Sequence, residues 1–168
     1  MRLTSRLITV FCVALMFMSV AAAQQRSKSR RALRRVSQTT STPPQIQYLT
    51  SDRRRPVPFS DAVRVGHMLY LSGQLGTNSA SGTTTRGIKA ETTQALENIR
   101  RILERNGSSL DQVVKCTVML ADISEREAMN EVYVTYFAKD RLPARSAFGV
   151  SGLANGARVE IECLAVLK

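Results

Sequence analysis

Val159-Glu160-Ile161-Glu162-Cys163-Leu164-Ala165-Val166-Leu167 reads as a β-strand with two different faces. Successive side chains of a strand point to opposite sides of its sheet. Val159, Ile161, Cys163, Ala165 and Leu167 therefore share one side, and Glu160, Glu162, Leu164 and Val166 share the other. Both sides are at least partly apolar, so both need a cover. The rest of the chain must show what supplies each.

Upstream of the turn Gly152 to Gly156, Arg145 to Val150 is a further strand. Val113 to Leu120 is another, apolar enough to be buried on both faces. It leads into Ser124-Glu125-Arg126-Glu127, a capping-box pattern in which the serine accepts the Glu127 N–H and the glutamate reaches back. Ala128, Met129, Val132, Tyr133, Tyr136 and Phe137 then form the apolar face of a helix that Asp140-Arg141-Leu142-Pro143 ends. An earlier helix begins at Ile88, where Ile88, Thr92, Ala95, Leu96, Ile99, Ile102 and Leu103 recur at helical spacing, and Gly107 stops it. Before it, Ala62-Val63-Arg64-Val65 and Met68-Leu69-Tyr70-Leu71 flank a tight turn at Gly66-His67. The order ββ, α, β, α, ββ predicts an α+β fold, a mixed sheet with two helices on one face. Helices cover only one face, so the other is expected to pack against further copies in a closed assembly.

Charge divides the 168-residue chain. Residues 1–55 hold eleven basic residues and only Asp52 as an acid, a net +10, and residues 56–168 carry +1. The folded part thus lacks the basic excess on which sequence-independent nucleic-acid binding relies. Arg2 and Arg6, the apolar run Leu7 to Val20 and the small residues Ala21-Ala22-Ala23 form an export signal over 1–23, with cleavage expected before Gln24 and a periplasmic or secreted destination. Residues 24–55, rich in Arg, Ser, Thr, Gln and Pro, are expected to be a disordered linker. Its Arg30-Arg31-Ala32-Leu33-Arg34-Arg35 block is suited to weak contact with an anionic surface. The folded domain is placed at 56–168. Cys116 and Cys163 each lie in an apolar strand and are expected to be buried free thiols, although export would permit a bridge. No CxxC or His/Cys cluster occurs, so a structural metal site has no support.

Pro58 to Gly66, Leu71-Ser72-Gly73-Gln74, Thr93 to Asn98, Asn130-Glu131-Val132-Tyr133, Pro143-Ala144-Arg145-Ser146 and Val159-Glu160-Ile161-Glu162 together resemble the Rid/YjgF pattern in its usual order. The resemblance implies a chorismate-mutase-like fold and a homotrimer with clefts between subunits. It also implies hydrolysis there of reactive 2-imino acids and enamines to 2-keto acids and ammonia, without a cofactor. It makes Arg145 the carboxylate clamp and Glu160 the proton-transferring residue, with Phe59, Ser72, Gly73, Asn130 and Ala147 as further substrate contacts. The chemistry suits these types: a guanidinium fork binds a carboxylate through two charge-assisted hydrogen bonds, and a carboxyl of raised pKa can take and return a proton. For Arg145 the alternative is a surface ion pair, and Glu162 competes with Glu160 on the same strand face. Two positions depart from many relatives: Phe59 stands where tyrosine is common, and Ala147 where a cysteine is.

A fold implies no activity. A non-catalytic ligand-binding or chaperone-like trimer would use the same clamp. Ribonuclease is disfavoured by the +1 charge, the single His67 and the export signal. Chorismate mutase shares the architecture but not the motif set.

Overall fold

A computed structural model of the chain describes residues 43–51, 57–77, 83 and 85–167. Residues 1–23, read above as an export signal, and most of the stretch read as a basic linker lie outside the described residues. Seven strands form one sheet: β1 Ile46–Leu49, β2 Ala62–Val65, β3 Met68–Leu71, β4 Gln74–Leu75, β5 Val113–Leu120, β6 Ala144–Gly149 and β7 Val159–Val166. Among the described residues the α-helices are α1, Ile88–Arg105, and α2, Arg126–Tyr133. The sheet order is β1-β2-β3-β7-β5-β6, with β4 also paired to β7. Only β5 and β6 run parallel. β7, the strand first read from the sequence, is therefore central: β3 and β4 flank one side of it and β5 the other.

Both helices pack into a single core with the sheet. Val159, Ile161, Cys163 and Ala165 of β7 are buried with Cys116, Val118 and Leu120 of β5, Leu69 and Leu71 of β3, and the inner faces of the helices. Ile88, Thr92, Ala95, Leu96, Ile99 and Leu103 of α1 are buried, as their spacing predicts. At the end of α1, Ser108 N–H donates to Leu103 O and Gly107 N–H to Glu104 O, with Gly107 at φ +77°. These two bonds occupy helix carbonyls that would otherwise be orphaned, and they need the left-handed residue that glycine supplies.

Four expectations are corrected. The first concerns the start of the fold, for the compact unit begins at Pro44 rather than 56. Ile46–Leu49, inside the region read as linker, pairs antiparallel with β2, Leu49 packs against the core, and Asp61 Oδ2 accepts the Ser51 N–H at 2.6 Å. Four residues carry too little periodicity to read as a strand; the existing β2 edge orders them.

The second concerns the cysteines. Cys116 and Cys163 are directly opposed on β5 and β7 and form a disulfide, S–S 2.10 Å and Cα–Cα 4.2 Å. Register brings them together, and neither strand alone reveals it. The third concerns β5, which is buried on one face only: Val114 and Lys115 are exposed beside an irregularity between Val113 and Lys115. Such a bulge lets Val113 and Cys116, three residues apart, both face the core. The fourth is the capping box. Asp122 caps instead, its Oδ1 accepting the Ser124 N–H at 2.9 Å in the short 3₁₀ turn Ile123–Glu125 that precedes α2. A 3₁₀ entry shifts the cap two residues earlier than the α-helical pattern expects.

Candidate active site

Arg145 is the second residue of β6, an edge strand. It stands in register with the buried Cys116, so its side chain leaves the sheet on the helix side. There Cζ of the guanidinium lies 4.6 Å from the centroid of the Tyr133 ring. Arg145 is exposed and, among the described residues, has neither a carboxylate nor a hydrogen-bond partner. The surface ion-pair alternative is not what the structure contains. Ala147, two residues on, faces the same side and packs against the core. Asn130 is on α2, one turn before Tyr133, its Nδ2 donating to Glu127 Oε2 at 3.4 Å.

A second group gathers around β4 and β7. Glu160 lies in register with Leu75 of β4 and Met119 of β5, on the face away from the helices. Its carboxyl rests against Gly73: a Cβ on Gly73 would sit 1.9 Å from Glu160 Oε1. Only glycine allows this approach. Burial, and secondarily the charge of Glu162, hold the Glu160 pKa above the usual carboxylate range. Glu162 is exposed on the same face. Glu160 is thus the partly desolvated acid of the two. Ser72 Oγ donates to Ser60 O at 2.7 Å, and Ser72 N–H to Asp61 O at 3.0 Å. Ser72 thereby anchors the segment that carries Phe59, whose ring is 53% exposed.

Arg145, Ala147 and Asn130 lie on the helix side at the β6 edge, and Glu160 lies against Gly73 on the opposite face at β4–β7, with Ser72 beside Gly73 and bonded to the segment that follows Phe59. β7 and β6 are separated by β5, a span of about 10 Å at ordinary strand spacing. Within one copy, Arg145 and Glu160 do not meet. Sequence reasoning assigned Tyr133 to the core alone and missed its contact with Arg145. The available signal was its place one helical turn after Asn130. Burial pushes the Tyr133 hydroxyl pKa up to about 12, with Arg145 pulling weakly the other way, so it stays protonated.

Among the described residues, a mixed sheet backed by two helices carries an exposed guanidinium without a hydrogen-bond or ion-pair partner and a partly desolvated carboxyl, an arrangement of the α+β class. The sequence model of the family described as Endoribonuclease L-PSP matches residues 52–167. A mouse protein named 2-iminobutanoate/2-iminopropanoate deaminase is 42% identical over 135 residues, covering 80% of this chain and 92% of its own. The goat protein of the same name is 48% identical over 110 residues, covering 65% and 80%. The crystal structure of RidA from an Antarctic Psychrobacter is similar at a TM-score of 0.68 and 38% identity, covering 72% of this chain and 99% of its own. The chain belongs to this family, the YjgF/Rid family.

Proposed function

We propose that the chain is a Rid-family deaminase that hydrolyses 2-imino acids to 2-keto acids and ammonia, at sites completed between copies of the chain. The observation that carries this reading is Arg145: an exposed guanidinium held over the Tyr133 ring, without an anion partner among the described residues, suits a carboxylate. The names of the mouse and goat relatives support an imine as the group beside that carboxylate. In the reaction, water adds to the imine carbon, giving a carbon that bears both hydroxyl and amine. The C–N bond then breaks, nitrogen leaves as ammonia, and the carbonyl forms. Glu160 takes the proton from the attacking water and passes it to the imine nitrogen as the adduct forms, then relays the hydroxyl proton to the departing nitrogen as the carbonyl forms, for which a raised pKa is an advantage.

The separation of Arg145 from Glu160 supports a trimer in which one copy presents the clamp and its neighbour the acid. Glu160, Glu162, Leu164 and Val166 line the helix-free face, with Tyr70 and Phe148 exposed beside them, and this is the face a second copy would cover. Export is part of the same proposal. It is supported by residues 1–23 and agrees with the Cys116–Cys163 disulfide, since such bonds persist in oxidising compartments. N-terminal sequencing of the secreted or periplasmic protein should begin at Gln24; a start at Met1 counts against it.

The test of activity is ammonia release from imines generated in the assay by an amino-acid oxidase, across several parent amino acids. Wild type is expected to accelerate release for small aliphatic imines. Rates no faster than buffer across the set, with a 2-keto acid still bound, would leave a ligand-binding trimer as the function.

A further inference from the structure

Tyr133 belongs to the core by burial, being 3% exposed, yet two features separate it from the residues around it. Its hydroxyl is buried without a hydrogen-bond partner among the described residues, as is Oδ1 of Asn130 one helical turn earlier. Buried polar atoms are almost always paired, so a tyrosine kept here in place of a simple apolar residue calls for a reason. The second feature is the ring. Phe137 tilts against it with centroids 4.9 Å apart and planes at 45°, while the Arg145 guanidinium lies over it at 4.6 Å. Tyr133 and Phe137 stand four residues apart and are both buried, which fixes the ring before any ligand arrives.

An arginine without an anion partner is ordinarily free to sample many rotamers, and a carboxylate that orders it bears that entropy as a loss of affinity. A ring that already holds the guanidinium removes part of the loss. The attraction is electrostatic, from the negative face of the ring, and an aliphatic side chain of similar bulk does not supply it.

We propose that Tyr133 is a positioning residue that preorganises the Arg145 guanidinium for a ligand carboxylate by cation–π stacking on a ring locked against Phe137; this rests on the reading of Arg145 as the clamp. The test uses the full-length chain and 2-oxobutanoate, a stable carboxylate of the product class, with binding by calorimetry and turnover of the corresponding imine. Tyr133→Phe keeps the ring and is expected to bind within about twofold of wild type, whereas Tyr133→Leu is expected to bind about five- to thirtyfold more weakly, the range set by a partly desolvated cation–π contact. KM should rise with the binding loss while kcat changes less, a split that general loosening of the core would not give.

Tyr133→Leu with unchanged affinity and KM overturns the proposal, and so does Tyr133→Phe as weak as Tyr133→Leu. If Tyr133→Leu fails to fold by thermal melting, phenylalanines bearing increasing numbers of ring fluorines at position 133 keep the volume and drain the ring face. Affinity falling stepwise along that series supports the proposal, and a flat series overturns it. Arg145→Ala separates the two levels. If it binds as well as wild type, or if neither binds, the clamp reading fails and this proposal with it. If wild type binds, Arg145→Ala does not, and Tyr133→Leu is unaffected, the clamp stands and the positioning role falls.

Discussion

Glu160 and Arg145 are held in opposite electrostatic conditions, and each condition has a measurable consequence. Burial and Glu162 both disfavour the Glu160 anion, so the folded chain retains this proton to a higher pH than the unfolded chain does. Between the ordinary carboxylate range and the raised value, the folded state therefore binds more protons, and stability falls as pH rises through that window. Thermal melting of wild type and Glu160→Gln across acid to neutral pH should show the variant gaining on wild type as pH rises, and levelling once Glu160 is ionised. The same variant removes the proton acceptor while keeping shape. It should lower kcat by about a hundredfold or more with ligand binding nearly intact. Gly73→Ala tests the packing beneath the acid: its Cβ would fall 1.9 Å from Oε1, so Glu160 must swing away and kcat should drop with little change in melting temperature. At the clamp, Arg145→Lys keeps charge and loses the fork, and Arg145→Ala loses both. KM should rise for each, and more for alanine, which leaves a ligand carboxylate with neither the fork nor the charge.

Strands and helices formed where their periodicity placed them; how they end and what they pair with was less legible. α1 is the clear case, since all but Ile102 of the residues its spacing selects are buried and Gly107 closes it, although Glu91 and Asn98, which the apolar spacing does not select, are buried too. β1 is the opposite case. Ile46–Leu49 has no pattern of its own to set it apart from the basic segment around it, and it is a strand because β2 offers an unpaired edge. Limited proteolysis should accordingly leave a core that retains Ile46–Leu49; a stable core beginning at residue 56 would show that β1 detaches. The disulfide joins β5 to β7 across a separation of 47 residues, for which chain entropy predicts up to about 4 kcal/mol. Reductant, or Cys116→Ala with Cys163→Ala, should lower the melting temperature substantially. An unchanged value would mean that the sheet is held without the bond. The Arg158 pair with Glu125, with Nε at 2.8 and 3.0 Å from the two carboxylate oxygens, fastens the start of β7 to the entry of α2. It stays exposed and contributes far less.

Assembly decides whether the two halves of the site meet. If clamp and acid come from neighbouring copies, light scattering of the pure protein should give a trimer, and a stable monomer at micromolar concentration would refute the shared site. A sharper measurement mixes Arg145→Ala with Glu160→Gln after co-refolding. Each alone is inactive, but random trimers place an intact clamp beside an intact acid at about one site in four, so about a quarter of wild-type activity should return. No recovery would mean that both residues are drawn from one copy. The sequence by itself determined the α+β class and most of the core faces of both helices and of β7. These follow from local periodicity and from motifs whose residues lie close together in the chain. Only the tertiary structure decided the place of β1, the Cys116–Cys163 bond, the Asp122 cap and the stacking of Arg145 on Tyr133. It also set Arg145 and Glu160 on opposite faces of the sheet. All but the cap depend on register between segments distant in sequence, which hydrophobic alternation does not encode because a strand of correct pattern accepts many partners. The cap depends on a 3₁₀ turn that the helical pattern does not record.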